Sequence, residues 1–589
     1  MNGSGAVEWS SSLWVAPVGP FRASLLAGFC HTRQGLFRPS RDRGRTAVQS
    51  RPDEAPGTVG ADVPTHLADL VRRAAQRAPD APAIVDVSAA LTLTWAEFDA
   101  AVDDEAARLR AAGVAPGDRV IVGLDNGAAL CVALFGALRA DAVAVPVAPR
   151  SVPRELGAVV SSCSPRVVVG DPDGRIPESI NGGSVATFLA PPDVSSTGGA
   201  RSGRERSVSG SGPERVADGV GAGVGEARGG EAIALLVYTS GTTGTPRGVR
   251  LSHRALLANR AQQAALRPAP VTAVDRVLLS LPLFHVFGLA AGLLQVCWAG
   301  ATVVLTDRFD PERSAQLIPE HRVSVVAGVP SMYRALLDLP AETLRAAFAG
   351  VRLCTSGGAP LPREWLAAFR DATGLDLFEG YGLSECGPVL TSTLVGGVAK
   401  PGSVGRPLPG VEIRLVDAQG VPVDARPADA DEDVELEDGS DDGDTGLVAT
   451  RGPHLFSGYW PDGEGGPDAE GWFRTADVGY LDADGDLHLV DRSSDLVIVN
   501  GFNVYPREVE RVLAELDGVV EAAVVGVPDD RTGEAVKAVV VAAEGAELTV
   551  DAVRDHCRAR LARFKVPAVV EFVAALPRTP TGKVARRTL

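Results

Sequence analysis

From about Pro64 onward, segments of helical period alternate with short β-branched runs, and that alternation restricts the chain to a layered α/β architecture. Residues 67–77 have the spacing of an amphipathic helix and 83–87 that of a strand. Residues 94–112 read as a second helix, because Thr94 can cap it while Glu97, three residues on, completes a capping box. The apolar runs 119–123, 143–147 and 166–169 have the length of buried strands. After Asp495 the pattern becomes α+β, with strands at 496–499, 521–527 and 535–542 and helices at 507–516 and 550–561. The fold class expected is therefore α/β: a large layered N-terminal domain over 64–492 and a small mobile α+β C-terminal domain over 493–589.

Two stretches break this order. Residues 192–230 hold 11 glycines and 6 serines and read as a flexible inserted linker. Residues 424–444 hold 11 acids against one arginine, so they supply −10 of the net −17 and read as a solvated, mobile loop. Residues 1–63 lack a signal-peptide pattern, since Glu8 precedes the first arginine, and read as a disordered or mis-started extension. Residues 286–306 are uncharged and long enough to cross a bilayer, yet Gln295 and several glycines favour a buried helix followed by a strand. No integral membrane span is expected, and the compartment expected is the cytoplasm. Peripheral membrane contact and homodimerisation stay open.

The acidic balance argues against nucleic acid as a partner, because phosphate neutralisation needs a basic face. Only four of the 57 basic residues are lysines (Lys400, Lys537, Lys565 and Lys583), which makes each lysine worth a look. The seven cysteines are scattered without a Cys-x-x-Cys pair and fit reduced thiols; spacing shows no metal-ligand cluster.

Chemistry enters at 235–249, where a buried strand runs into Thr239-Ser240-Gly241-Thr242-Thr243-Gly244-Thr245-Pro246-Arg247. Backbone N–H groups free to approach, hydroxyl donors and a nearby cation are what a polyphosphate needs. The spacing is neither G-x-x-x-x-G-K-[ST] nor G-x-G-x-x-G, so the simple P-loop and dinucleotide readings lose ground.

This loop resembles the phosphate-loop signature of the adenylate-forming (AMP-binding) superfamily, and further segments match in order. They are Leu281-Pro282-Leu283-Phe284-His285, Ser356-Gly357-Gly358-Ala359-Pro360, Glu379-Gly380-Tyr381-Gly382-Leu383-Ser384-Glu385, Gly458-Tyr459-Trp460 and Trp472-Phe473-Arg474-Thr475-Ala476-Asp477. Asp491-Arg492, Gly501-Phe502-Asn503-Val504-Tyr505-Pro506 and Pro580-Thr581-Gly582-Lys583 complete the series. The resemblance implies a two-step reaction: a carboxylate attacks the ATP α-phosphate to give acyl-adenylate and pyrophosphate, and a thiol then takes the acyl group. Such chemistry is limited by charge repulsion, so positioning and neutralisation dominate.

By the same resemblance, Lys583 supplies a cation to the carboxylate and α-phosphate, and Glu385, with Thr239, holds Mg²⁺. Ser384 donates to the α-phosphate, Tyr381 stacks on adenine, Asp477 accepts from the ribose hydroxyls, and Arg492 contacts ribose or phosphate. Gly357, Gly358, Ala359, Gly380 and Gly382 bring backbone close to the nucleotide. His285 and Leu383, with Gly357 and Gly380, line the acid pocket. Gly501, Phe502 and Asn503 lie beside the coenzyme A tunnel, and Ser494 is the hinge. Arg247, Ala476 and Ser494 depart from the residues usual at their positions.

Within the superfamily, the versions around Gly357 and Tyr381 look most like medium- or long-chain fatty acyl-CoA synthetases. After Phe284 the acid-pocket segment is apolar, where an amino-acid-activating domain would offer an acid. The expected enzyme is thus an ATP- and Mg²⁺-dependent fatty acid:coenzyme A ligase of fatty acid metabolism. The alternatives are an aryl or short-chain acid:coenzyme A ligase, a fatty acyl-AMP ligase loading a carrier protein, and a non-catalytic nucleotide-binding protein.

Overall fold

A computed structural model describes residues 64–149, 153–170, 187–194, 229–239, 247–417, 419–423, 445–492, 497–499, 502–504, 506–529, 533–561, 563–578 and 584–589. The expected loop 424–444, most of the expected linker 192–230, and residues 1–63 lie outside the described residues.

Two sheets with parallel interiors form the large domain. One runs, in spatial order, through the strands at 406–407, 391–392, 377–381, 353–357, 325–328, 276–279, 302–305, 82–86 and 91–94. Its interior pairs are parallel and its edges antiparallel. The other follows the order 187–189, 167–170, 119–123, 143–146, 233–239, 247–252. Strands such as Val143–Pro146 and Val167–Gly170 are buried on both faces. That is why they read as unbroken apolar runs instead of alternating ones.

The main core lies between these sheets and joins Leu235 and Val237 of one to Val277 and Leu279 of the other. Helix Trp95–Ala111 fills it with Trp95, Phe98 and Leu109; Thr94 accepts the Glu97 N–H while the Glu97 carboxylate accepts the Thr94 N–H at 2.8 Å. The capping box read from the sequence is therefore formed, and it satisfies two donors that a helix start leaves orphaned.

A four-stranded antiparallel sheet (412–416, 446–451, 472–481, 487–492) follows. The small C-terminal unit then builds its own core from Val497, Val504, Leu513, Val524, Val540 and Val553. Its strands Val519–Asp529 and Gly533–Ala542 and helices Pro506–Ala514 and Val550–Arg558 start within three residues of the positions read from the sequence.

One sequence reading is borne out with a refinement, and one needs correction. The buried helix expected after Val286 begins as a π-helix, Phe287–Leu294, and turns α only at Gln295–Ala299 before strand Thr302–Leu305. The apolar run is uniform enough to hide the change of period. No helix among the described residues is long and apolar enough to cross a membrane. The correction concerns Asp482, Asp484 and Asp486, which spacing did not flag as a cluster. The chain gathers their carboxylates within 4.8 Å. Lys400 Nζ lies 2.5, 2.9 and 3.2 Å from the three, and Arg406 binds Asp486, so the protein's own cations offset most of the group's charge. The six cysteines among the described residues are buried and free.

Candidate active site

Parallel strands Leu353–Gly357 and Leu377–Tyr381 pair in register so that Gly357 faces Gly380 at their carboxyl ends. Open α/β sheets place ligands at that edge. The approach is close: a Cβ on Gly357 would lie 3.1 Å from the Phe287 ring and 3.2 Å from the Gly380 carbonyl. Gly358 has φ +80°, a conformation that favours glycine, and Ala359 beside it is exposed. Phe287 opens the π-helix, and its N–H donates to His285 Nδ1 at 3.2 Å. The half-buried His285 thus caps the segment whose first aromatic residue abuts the glycine pair.

Asn126 fixes the start of that segment. Its Oδ1 accepts the Leu283 N–H at 2.9 Å and its Nδ2 donates to the Leu281 carbonyl at 2.8 Å. A lone Asn in a loop carries no such signal in sequence.

Beyond Gly380, the Tyr381 hydroxyl donates to Asp477 Oδ2 at 2.6 Å, joining residues 96 apart in sequence. Burial, reinforced by the Asp477 charge, holds the phenol protonated well above the usual tyrosine range. Asp477 is 7% exposed, its N–H donates to Thr475 Oγ1, and its strand partner is Arg492. The Tyr381–Asp477 bond was not read from sequence, which gave each a separate role.

Leu383 leads into the 3-10 turn Ser384–Cys386. The Glu385 carboxylate accepts the Tyr459 hydroxyl at 2.7 Å, while its carbonyl accepts the Phe456 N–H at 2.9 Å. The Arg247 guanidinium lies over the Tyr459 ring, 3.6 Å from its centroid. Tyr459 is placed by a bridge to Val249, on the strand Arg247–Ser252 that returns from the hydroxyl-rich loop. One aromatic ring thus connects the Arg247 cation to the acidic turn. Its motif, Gly458-Tyr459-Trp460, was noticed in sequence without a role. Burial and the Glu385 charge push the Tyr459 phenol up, so it stays a donor at neutral pH.

Thr239, the last residue of its strand, pairs with Arg247. Ser240, Gly241, Thr242, Thr243, Gly244, Ser494, Gly501 and Lys583 lie outside the described residues. The backbones of Phe502 and Asn503 pair with Val499 and Ile498.

Glu379, one residue before Gly380, is 6% exposed; its Oε1 accepts the Leu361 N–H at 3.2 Å. Burial raises its pKa from 4.5 to about 8, against the opposing pull of that N–H and of the Arg507 charge. The folded state therefore binds this proton more tightly than the unfolded chain. The resulting stabilisation is complete below about pH 4.5 and is lost as pH rises toward 8. The loss at pH 7 is on the order of 3 kcal/mol. Glu379→Gln, a stand-in for the protonated form, should flatten this dependence. Melting temperatures of both proteins at pH 5.5 and 8.5 check it: wild type should fall by several degrees relative to the variant, and parallel curves would refute the assignment.

Comparison with known proteins matches this fold. The AMP-binding enzyme family model matches residues 71–460, and that of the AMP-binding enzyme C-terminal domain matches 508–583. A long-chain-fatty-acid–CoA ligase of Bacillus subtilis is 37% identical over 359 residues, 61% of each chain. A feruloyl-CoA synthase of Amycolatopsis sp is 34% identical over 531 residues, 87% of this chain and 96% of its own. Among solved structures, ATP-bound MatB from Rhodopseudomonas palustris superposes with a TM-score of 0.75 at 31% identity, covering 88% of this chain and 98% of that one. The chain belongs to the AMP-binding enzyme family, and within it to the acyl-CoA ligases of the adenylate-forming type.

Proposed function

We propose that this ligase activates a medium- or long-chain fatty acid and passes the acyl group to coenzyme A. In the first step a carboxylate oxygen attacks the α-phosphorus of ATP, the bond to the β-phosphate breaks, and pyrophosphate leaves. In the second the coenzyme A sulfur, losing its proton, attacks the acyl carbonyl and AMP leaves. The observation that carries the acid class is the apolar wall at the glycine pair. Phe287 abuts Gly357, and residues 286–306 hold no charge that would bind an ammonium or a second carboxylate. The Bacillus subtilis relative's name agrees. An aryl acid is the second reading, favoured by the feruloyl-CoA synthase relative and by an aromatic ring at the wall.

The half-buried Glu385 carboxylate is a hard oxygen donor and suits Mg²⁺, with Thr239 at the end of the neighbouring strand offering a hydroxyl. Bound there, Mg²⁺ would neutralise phosphate charge as the reaction proceeds. The chain's own groups do the orienting. Arg247, stacked on Tyr459, would offer its fork to the phosphates; Ser384 would donate to the α-phosphate; and Asp477, positioned by Tyr381, would accept from the ribose hydroxyls. Arg492, beside Asp477, would share that contact, and Lys583 would span the carboxylate and α-phosphate. The backbones at Gly357, Gly358, Ala359, Gly380 and Gly382 would flank the nucleotide. Gly501, Phe502 and Asn503 would guide the thiol, with Ser494 as the hinge.

The test is pyrophosphate release with ATP and Mg²⁺ across fatty, aryl and amino acids, each with and without coenzyme A. Sustained turnover with fatty acids and coenzyme A, giving acyl-CoA, is expected. Preference for an aryl acid would favour the second reading, and a single adenylate per enzyme despite coenzyme A would point to a carrier protein. Tyr459→Phe should lower kcat/KM for ATP about tenfold by freeing Glu385, because a hydrogen bond to a charged group is worth about 1.5–3 kcal/mol. The Arg247 stack survives that change, so unchanged kinetics would remove Tyr459 from the site.

A further inference from the structure

Helix His253–Ala264 carries a buried cation that the proposed mechanism does not use. Arg260 is fully buried, and its guanidinium meets only uncharged oxygen among its described partners. Nη1 donates to the Ala290 carbonyl; Nη2 donates to the Gly387 carbonyl at 2.9 Å and to Asn259 Oδ1. With the Gln263 amide oriented to satisfy its neighbours, its oxygen accepts from both Nη1 and Nη2, at 3.0 and 2.9 Å. Burial pushes the Arg260 pKa down to about 9, which still leaves the group charged at neutral pH.

A buried charge without a counter-ion is costly, and a methionine of similar reach would pack there without that cost. What distinguishes Arg260 is the pair of carbonyls it spans. Ala290 lies inside the π-helix that begins at Phe287, on the acid side of the site. Gly387, in the left-handed conformation at φ +67°, ends the turn that carries Ser384 and Glu385. The neighbouring Asn259 reinforces this grip, donating from Nδ2 to the Val389 carbonyl at 2.7 Å. Tyr459 holds the same turn from its other side, through the Glu385 carboxylate.

We propose that Arg260 is a positioning residue of this ligase: its two-pronged tie between the Ala290 and Gly387 carbonyls sets the Ser384–Glu385 turn against the acid-side π-helix. The inference rests on the proposed role of Glu385. The guanidinium puts a separate nitrogen on each carbonyl, Nη1 on Ala290 and Nη2 on Gly387, whereas a lysine would have to serve both from a single nitrogen on an unbranched stem.

The test compares wild type, Arg260→Lys and Arg260→Met by calorimetric titration of ATP at a series of Mg²⁺ concentrations, together with melting temperature and steady-state kinetics. Arg260→Lys is expected to stay folded, bind ATP without Mg²⁺ as wild type does, require about tenfold more Mg²⁺ for half-maximal enhancement of binding, and lose about tenfold in kcat. A merely structural role would lower the melting temperature of both variants without moving the Mg²⁺ requirement. The effects of Arg260→Lys and Tyr459→Phe on kcat should also be non-additive, since both act on one turn. If Arg260→Met fails to fold, Arg260→Lys decides alone: a folded lysine variant with wild-type Mg²⁺ requirement and kcat overturns the proposal. A wild-type protein whose ATP binding ignores Mg²⁺ would instead overturn the role of Glu385 itself.

Discussion

Lys583→Ala is expected to slow acyl-adenylate formation about 10²–10³-fold, the usual effect of removing one preorganised group from developing negative charge. The step brings a carboxylate against a polyphosphate, so a cation between the two would lower the barrier at the point where repulsion is greatest. A lysine suits that position because a compact ammonium carries three donors on one atom and can face oxygens of two molecules at once. Folding should be spared. The residues that flank 579–583 are held without it: Arg578 bridges to Val584, the Ala585 N–H donates to the Pro577 carbonyl at 2.8 Å, and Arg578 Nη2 pairs with Glu521 at 2.7 Å. A single-turnover measurement of pyrophosphate release, with melting temperature alongside, separates the outcomes. Wild-type release in a folded Lys583→Ala protein would remove Lys583 from the chemistry. Loss of release with an unchanged melting temperature and unchanged ATP affinity would support its proposed role.

Much of the fold was legible because its signals are local. A capping box needs two side chains three residues apart, and a buried parallel strand needs only a short apolar run, so 94–112, 119–123 and 143–147 fell close to their observed elements. The π-helix was not legible: in Phe287–Leu294 every residue is apolar or glycine, so no polar residue marks which face turns where. The site divides in the same way. Motif order identifies the turns, while the bonds between turns join distant residues, 74 apart for Tyr459 to Glu385 and 127 apart for Arg260 to Gly387. Arg260 sits between Asn259 and Ala261 in a stretch rich in polar side chains, where an arginine reads as solvated surface. Only the folded chain reveals that Asn259, Arg260, Gln262 and Gln263 are buried and that the first two meet backbone carbonyls. Lys400 was hidden likewise, since its three carboxylates lie more than 80 residues away.

Gly382→Ala should damage both stability and turnover, and it does so through backbone alone. A Cβ at Gly382 would lie 1.9 Å from the Pro388 carbonyl oxygen, 2.8 Å from its carbon and 3.0 Å from the Val389 Cα. None of these belongs to a flexible side chain that could swing away, so the strand end or the 387–389 segment must move. That segment cannot yield cheaply: the Gly387 carbonyl is tied to Arg260, Val389 to Asn259, and the Leu390 N–H donates to the Tyr381 carbonyl at 2.8 Å. Overpacking of this kind costs about 1–3 kcal/mol or more. The displaced atoms border Tyr381 on one side and Ser384 and Glu385 on the other, so the same shift would misplace groups that act by geometry. A loss of at least about 10²-fold in turnover is expected. Gly350→Ala is the control, because a Cβ there has nothing within 4 Å. Parallel melting curves and acid-dependent pyrophosphate release for the two variants read the effect. Equal behaviour of Gly382→Ala and Gly350→Ala would mean that the turn tolerates displacement, and that Glu385 is not held to the tolerance which the Arg260 and Tyr459 contacts imply.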